Sequence, residues 1–162
     1  MFEQMTSGVI KSLLVFVIIA TLSSILFNFH IATLGIGNLI LFFINLTLFA
    51  WSVGIFILAF IFRYGTRIQA LAWGLVFLFQ PLTAAFFPVS VLPPPLQTIA
   101  YFFPPTFVFE AARAGLTDPT INWHMTGIAF GENIVYFAFS LWFFNMMFTK
   151  AKDTGQFARN EE

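Results

Sequence analysis

Ionisable residues are scarce in this chain, and those that lie within apolar sequence are its first candidates for chemistry. Glu110 and Arg113 stand three residues apart, so on a helix they share a face and can form an ion pair. Such a pair either allows a short helix to lie at an apolar interface or acts at the mouth of a transport pathway. Glu132 has no cation near it in its own stretch, which favours a polar packing contact over a proton relay.

The sequence does not indicate metal binding or catalysis. The chain has no cysteine, and no carboxylate cluster lies near its two histidines, His30 and His124, so we expect no metal site. No glycine-rich phosphate loop is present, and Glu110, Asp118 and Glu132 have no nucleophile suitably spaced beside them. We therefore expect a protein that is not an enzyme, with no catalytic residue and no directly bound cofactor.

The composition is that of an integral membrane protein. Of 162 residues, 59% are apolar and 9% are charged, whereas soluble domains have about 25% charged residues. The 7 Lys and Arg residues balance the 7 Asp and Glu residues, which leaves no basic surface for nucleic acid. We predict a single all-α membrane domain over residues 1–162.

Long stretches without charge predict four membrane spans. No Asp, Glu, Lys or Arg lies between Lys11 and Arg63, and about 20 apolar residues suffice for one crossing. This stretch therefore accommodates two spans, and the remainder of the chain accommodates two more. The predicted spans cover about 10–29, 37–62, 68–87 and 124–148, and a polar tail follows over 149–162.

The sequence between the third and fourth predicted spans is apolar but rich in proline. Six prolines fall between Pro88 and Pro105, so no straight helix can run through this stretch. Irregular backbone at membrane depth is tolerated only where protein shields it or where it lines a water-filled cavity. We therefore predict a pair of short helices, re-entrant or interfacial, over about 92–115.

The distribution of Lys and Arg predicts the orientation of the chain. If the N-terminus is cytoplasmic, Arg113 alone lies outside, and six basic residues lie inside: Lys11, Arg63, Arg67, Lys150, Lys152 and Arg159. Positive residues are enriched on the cytoplasmic side of membrane proteins. We therefore expect a multi-pass protein of the cytoplasmic membrane with both termini in the cytoplasm.

Three uncharged polar residues within the predicted spans are candidates for lining a pathway. They are Asn45 in the second span and Gln80 and Thr83 in the third. Such residues usually hydrogen-bond between helices, and they can also line a route for a substrate. Because Pro81 follows Gln80, we expect the third span to be kinked or broken near this point.

The stretch from 70 to 116 contains four elements in one order: FPVSVLP at 87–93, an amphipathic segment at 96–103, PTF at 105–107, and the pair Glu110 and Arg113. In this order they resemble the C-terminal half of the membrane subunit of type 2 ATP-binding-cassette (ABC) transporters. A looser likeness extends over all four predicted spans.

This resemblance implies the permease subunit of an exporter, paired with a second permease copy, identical or different. ATP would be hydrolysed by a separate cytoplasmic ATPase subunit. The family's outer gate would correspond to about 92–115 and its flanks, with the candidate residues Pro88, Pro93, Pro104, Pro105, Glu110 and Arg113. The loop facing the ATPase would contain Arg63, Tyr64 and Arg67.

The chain departs from this family in length. Family permeases have six spans, and this chain would supply only the last four, so we expect a truncated permease, completion by another chain, or a shortened form. Two other classes are alternatives: a non-transporting assembly or scaffold subunit, and a small proton-coupled exporter. The proton-coupled class typically has a glutamate in its first span, where this chain has none.

Overall fold

The computed structural model describes residues 2–28, 30–65 and 68–153, and the elements in these ranges are all helical. The prediction of an all-α protein is confirmed for this part of the chain. The α-helices are α1 (Phe2–Phe27), α2 (Ile36–Tyr64), α3 (Gln69–Leu82), α4 (Pro94–Ala100), α5 (Pro104–Gly115) and α6 (Trp123–Asp153). Short 3-10 helices cover Ile31–Leu34 and Val89–Val91.

Three of these helices are long and apolar enough to cross a membrane. The candidate segments are Thr6–Phe27 in α1, Ile36–Tyr64 in α2 and Trp123–Lys152 in α6, with 22, 29 and 30 residues. At 1.5 Å per residue each exceeds the hydrocarbon core of about 30 Å. They coincide with the first, second and fourth predicted spans, so the description as a multi-pass membrane protein agrees with the structure.

The third predicted span differs from the structure, because its helix is shorter than the 68–87 that we expected. α3 has 14 residues, which gives a length of about 21 Å. Pro81 lies in its last turn, and Ala84 then adopts a left-handed conformation with φ 52°, which a right-handed helix cannot continue through. The expected break near Pro81 is confirmed, and it ends the helix at Leu82.

The core of the molecule is a parallel pair formed by α2 and α6. The contacts advance together along both helices, from Asn45–Asn133 through Phe56–Phe143 to Arg63–Lys150. The buried residues of this pair include small or polar ones that recur every seven positions: Asn38, Asn45, Ser52 and Ala59 on α2, and Thr126, Asn133 and Ser140 on α6. This spacing is typical of left-handed helix pairs, and small residues let membrane helices approach closely.

The segment between α2 and α6 must carry the chain back along the whole length of α2, because the two helices run parallel and in register. At the starting end, the Asn38 side chain donates a hydrogen bond of 2.9 Å to the carbonyl of Pro119, just before α6. At the other end, Arg63 donates to the carbonyl of Lys150. Gly35 has φ 84°, and a Cβ there would lie 3.2 Å from the Pro119 oxygen, so this junction requires glycine.

Two short helices, α4 and α5, occupy the proline-rich stretch. Both have proline in their first turn, where the missing N–H would have no partner in the helix. The hydroxyl of Thr106 donates a hydrogen bond of 2.6 Å to the carbonyl of Ala100, and both residues are fully buried. This bond closes α4 and α5 into a hairpin, and α5 packs against α2 and α6. Prolines therefore begin these helices and do not interrupt them.

α1 lies apart from this core. None of the residues in its apolar stretch, Thr6–Phe27, is buried. An open groove of about 540 Å³ separates it from α2, with Phe16 and Ile19 on one side and Phe43 and Leu46 on the other. The described core therefore consists of α2, α5 and α6, with α3 and α4 at its edge.

Candidate functional site

Glu110 and Arg113 form an ion pair on α5, as their spacing predicts. The Nη1 atom of Arg113 lies 2.7 Å from the Oε1 atom of Glu110. The second guanidinium nitrogen of Arg113 donates to the carbonyl of Ala84 and lies 3.4 Å from that of Ala85. The same Glu110 oxygen accepts a hydrogen bond of 3.0 Å from the backbone N–H of Val89. The pair therefore binds α5 to the irregular segment that follows α3.

This contact satisfies backbone groups of the irregular segment that follows α3. The carbonyls of Phe79, Gln80 and Pro81 in the last turn of α3 already accept hydrogen bonds from the N–H groups of the next turn, and the chain then continues as irregular backbone until Val89. Arginine offers five N–H donors in a planar fork, which here reach a carboxylate and a carbonyl together. Residue spacing predicted the ion pair, but no local pattern indicated its contacts with 84–89.

The candidate gate prolines occupy two different environments. Pro104 and Pro105, at the start of α5, are buried, whereas Pro88 and Pro93 are exposed. Pro88 precedes the 3-10 helix at Val89–Val91, and Pro93 precedes α4. The structure brings Pro104 and Pro105 together with the ion pair on one helix, and the gating role of these residues stays a prediction.

The candidate ATPase-facing residues lie at the C-terminal end of α2. Arg63 is half-buried, and its Nη1 atom donates a hydrogen bond of 3.1 Å to the carbonyl of Lys150 on α6. Tyr64 is exposed and stacks on Phe60. Arg67 lies outside the described residues, as do Arg159 and the tail beyond 153. Arg63 therefore joins the ends of the two core helices, and its proximity to an ATPase stays a prediction.

Asn45, one of the three pathway candidates, lies inside the α2–α6 contact. It is 1% exposed, and its side-chain oxygen accepts a hydrogen bond of 2.9 Å from Asn133. Its own amide nitrogen donates to the carbonyl of Leu41. This geometry is that of a hydrogen bond between helices, the first of the two roles that we considered for it.

Gln80 and Thr83 lie together on a second surface, which we name the α2–α3 groove. Thr83 is buried and donates to the carbonyl of Phe79, whereas Gln80 is exposed. The groove has a volume of about 380 Å³ and is lined by α2, α3, α5 and the turn after α3: Leu46, Phe49, Ala50, Val53, Gly54, Ile57, Val76, Phe79, Gln80, Thr83, Ala85, Pro105 and Phe109. It is apolar except for the two candidates.

Sequence reasoning missed Tyr136, which contacts the turn between α4 and α5. Its hydroxyl donates a hydrogen bond of 2.9 Å to the carbonyl of Phe102, and its ring packs on Phe49 and Phe103. It lies one helical turn after Glu132 on the same face of α6. Glu132 is half-exposed, but its Oε2 atom is buried and has no hydrogen-bond partner among the described residues.

Sequence reasoning also missed the α6 residues that face α2. The residues concerned are Thr126, Asn133 and Ser140, and none of them is among the candidates derived from the sequence. A signal was present, because the seven-residue recurrence of small polar residues on α2 has a counterpart on α6. Hydropathy alone does not display this periodicity, since it averages over both faces of a helix.

Acidic and histidine side chains do not gather at any one place in the described ranges. Within them, no three His, Cys, Asp or Glu residues lie close enough together to hold a metal ion. Asp118, in the exposed loop before α6, accepts a hydrogen bond of 3.0 Å from the N–H of Thr120, and backbone and side-chain hydrogen bonds from Thr120 lower the pKa of its carboxyl group. This carboxylate is therefore held by its own loop.

Comparison with protein-family models, curated proteins and solved structures gives no match for this chain. The resemblance of 70–116 to type 2 ABC permeases accordingly stays a prediction. A proposal about its function therefore rests on the residues and geometry of this chain.

Proposed function

We propose that this chain is the permease subunit of an ATP-driven exporter of the type 2 ABC class. It would move a substrate out across the cytoplasmic membrane, while a separate ATPase subunit hydrolyses ATP. The observation that carries this proposal is the Glu110–Arg113 pair, which binds the α4–α5 hairpin to the irregular segment after α3. Ionisable residues within apolar segments are costly and are usually retained for function.

We propose further that α3 and the hairpin together complete a fourth crossing. The support is the parallel register of α2 and α6, which requires 65–122 to return along their full length. α3 provides about 21 Å of this path, and the segment after it lies beside α5, because Arg113 binds the carbonyl of Ala84 and Glu110 binds the N–H of Val89. In this position the ion pair shields the irregular segment.

The hairpin would enter the membrane from the outer side and turn back near its middle. Tyr136 supports this placement, because it follows the first residue of α6, Trp123, by 13 positions, or about 20 Å along the helix. Its hydroxyl binds the carbonyl of Phe102, in the turn between α4 and α5. If α6 begins at the outer surface, the tip of the hairpin lies well below that surface.

This arrangement gives a route for coupling between the two sides of the membrane. A push by an ATPase on the loop at 63–67 would reach α2 and α6 together, because Arg63 joins their ends. The other half of the same pair holds α5, so a tilt of the pair would displace the hairpin at the outer side. The Glu110–Arg113 contacts would then separate or reform as the outer mouth opens and closes.

The direct test is purification of the chain from its native membranes in mild detergent, with the associated proteins identified by mass spectrometry. We expect an ABC ATPase subunit and a second permease chain, which is either a copy of this one or a chain that supplies further spans. ATP hydrolysis by the purified complex, inhibited by vanadate, would complete the identification.

Two results would contradict the proposal. Recovery of the chain with other membrane proteins but without an ATPase, over a range of detergent strengths, would favour an assembly or scaffold subunit. Recovery of the chain alone, with transport driven by a proton gradient in vesicles, would favour a small proton-coupled exporter. Glu132 favours this second candidate specifically, because its buried Oε2 atom lacks a partner among the described residues and a carboxylate at this depth can carry a proton.

A further inference from the structure

The α2–α3 groove is a gap between helices that would otherwise be neighbours. α3 does not pack along α2 as α5 and α6 do, and the rings of Phe49 and Phe79, with centroids 5.7 Å apart, bridge the gap at one point. A Cβ placed on Gly54 would meet no atom within 4 Å. The volume of about 380 Å³ lies within the range of small-molecule sites.

We propose that this groove binds an uncharged amphiphile, with its apolar chain along α2 and α3 and one polar group hydrogen-bonded to Gln80. This inference rests on the proposed function, since it names the class of substrate that such an exporter would take. It assigns to Gln80 a role in recognition and leaves Thr83, whose hydroxyl already donates to Phe79, as part of the wall.

Gln80 points to a ligand because its amide has no hydrogen-bond partner among the described residues. The residue is exposed, and no described side chain or backbone group forms a hydrogen bond with its amide. It lies 11 positions after the start of α3, or about 17 Å along the helix. An amide at this depth in hydrocarbon lacks water and is costly unless it is hydrogen-bonded. A ligand with a hydroxyl, ester or amide group would supply what it lacks.

The uncharged lining of the groove favours an uncharged ligand. The described residues that line it include no Asp, Glu, Lys, Arg or His, so a charged headgroup would enter an apolar space without a counter-ion, which is unfavourable. Lipid tails are as apolar as the lining, so apolar contact alone selects nothing in a membrane. The single unpaired amide therefore provides the selectivity, and it complements one neutral polar group.

The test uses the purified full chain in phosphatidylcholine nanodiscs and a monoacylglycerol that carries a photoreactive diazirine in its acyl chain. We expect light-dependent labelling of the peptides that contain 49–57 and 76–85, and its loss in the presence of excess unlabelled monoacylglycerol. A fatty acid with the same diazirine chain, which is anionic, should label these peptides far less.

Variants locate the binding site. Gln80→Leu should weaken competition by about threefold to tenfold, the range expected for one hydrogen bond in a membrane. Gly54→Phe should abolish labelling, because its ring fills the groove. The matched controls are Asn145→Leu, an exposed amide on α6, and Gly127→Phe, at an open glycine outside the groove. Both should bind as the unmodified chain does.

Three results would overturn the proposal. Equal labelling by both probes without competition would mean that bulk lipid fills the groove. Unchanged affinity in Gln80→Leu would mean that Gln80 does not hydrogen-bond to the ligand. Efficient crosslinking between two copies carrying Gln80→Cys would mean that a helix of a second copy covers the groove. Binding is measured here without an ATPase, so its failure is distinct from failure to purify with an ATPase, which would contradict the proposed function itself.

Discussion

Arg113 has more hydrogen-bond partners than Glu110, so the two residues should contribute differently to the stability of the protein. The guanidinium group reaches the carboxylate and the carbonyls of Ala84 and Ala85, whereas the carboxylate accepts from Arg113 and from the N–H of Val89. Removal of the cation would leave a carboxylate and two carbonyls with fewer donors in an apolar setting. Removal of the negative charge by Glu110→Gln would leave an oxygen that still accepts from Val89.

We therefore expect Arg113→Gln to destabilise the protein more than Glu110→Gln does. The loss should be about 3 kcal/mol for Arg113→Gln and about 1 kcal/mol for Glu110→Gln. Both variants leave one charge without its partner, but only Arg113→Gln also removes the donor to the carbonyls of Ala84 and Ala85. Thermal unfolding in one detergent, followed by circular dichroism, would give the order of the two variants.

The same variants separate structure from gating. Under the proposed mechanism, Glu110→Gln lowers export while the amount of protein in the membrane stays normal. If this variant fails to accumulate in the membrane, the pair has a structural role only. Lys152→Gln, at an exposed position near the C-terminal end of α6, serves as a control for the loss of a charge and should change neither stability nor export greatly.

Sequence reasoning succeeds at the residue scale where the geometry is local. The three-residue spacing of Glu110 and Arg113 fixes a shared helix face, and the ion pair follows from it. Asn45 and Asn133 are 88 residues apart, so their contact depends on how α2 and α6 pack, which no local pattern specifies. The contacts of Arg113 with its carbonyl partners could not be predicted for the same reason.

At the scale of elements, the α4–α5 hairpin owes its form to prolines at the starts of its helices. Proline at the first turn loses no hydrogen bond, and the Thr106–Ala100 bond then sets the turn between them. Apolar content predicted that this stretch lies near lipid, and proline content predicted that it is broken. Neither property predicts how deep the hairpin lies in the membrane, and this depth can be measured by cysteine labelling.

The hairpin should shield its tip from water on the outer side. The chain has no cysteine, so single-cysteine variants need no altered background. We expect Phe102→Cys to react slowly with a membrane-impermeant maleimide added to intact cells, because the tip would lie within the membrane. Leu116→Cys, at the other end of α5, should react quickly, although the side chains of Phe102 and Leu116 are 65% and 57% exposed in the isolated chain.

Equal reactivity at the two positions would place the hairpin on the outer surface and remove the re-entrant part of the proposal. Trp123→Cys, at the exposed start of α6, gives a second reference for full access. A fast reaction at 102 together with a slow one at 116 would require the opposite orientation of α5.

The extent of α3 shows why span prediction reaches a limit. Apolar residues continue from 70 to 87 with little interruption, so hydropathy predicted one long helix. The helix ends earlier because Ala84 takes a left-handed conformation and its carbonyl binds Arg113. Hydropathy measures the preference of each side chain for lipid and contains no information on such tertiary contacts.

At the scale of the whole molecule, the parallel register of α2 and α6 places the starts of both helices on one side. The start of α1 and the end of α6 then lie toward the other side. The basic residues Arg63, Lys150 and Lys152 lie at the C-terminal ends of the pair, so the positive-inside rule predicts that these ends face the cytoplasm.

We expect both ends of the chain to react with a maleimide only after the cells are permeabilised. Ser7→Cys and Lys152→Cys would report the two ends, and Thr117→Cys would report the outer loop; all three positions are exposed. Reaction at 117 without permeabilisation, with protection at 7 and 152, agrees with the proposed topology. Reaction at 7 alone in intact cells would mean that α1 does not cross, and the opposite pattern at all three positions would mean an inverted protein.

The hydrogen bonds of the polar residues on α2 have a consequence for the order in which the protein is made. Asn133 is translated 88 residues after Asn45, which at about 5–20 residues per second means an interval of about 4–18 s. During that time the amide of Asn45 has no helix partner, but its nitrogen can bind the carbonyl of Leu41, and Asn38 and Ser52 can bind those of Leu34 and Leu48. Each of these three side chains thus has its own acceptor four residues earlier. α2 can therefore leave the translocon and remain in lipid, with these side-chain donors hydrogen-bonded, until α6 is inserted and packs against it.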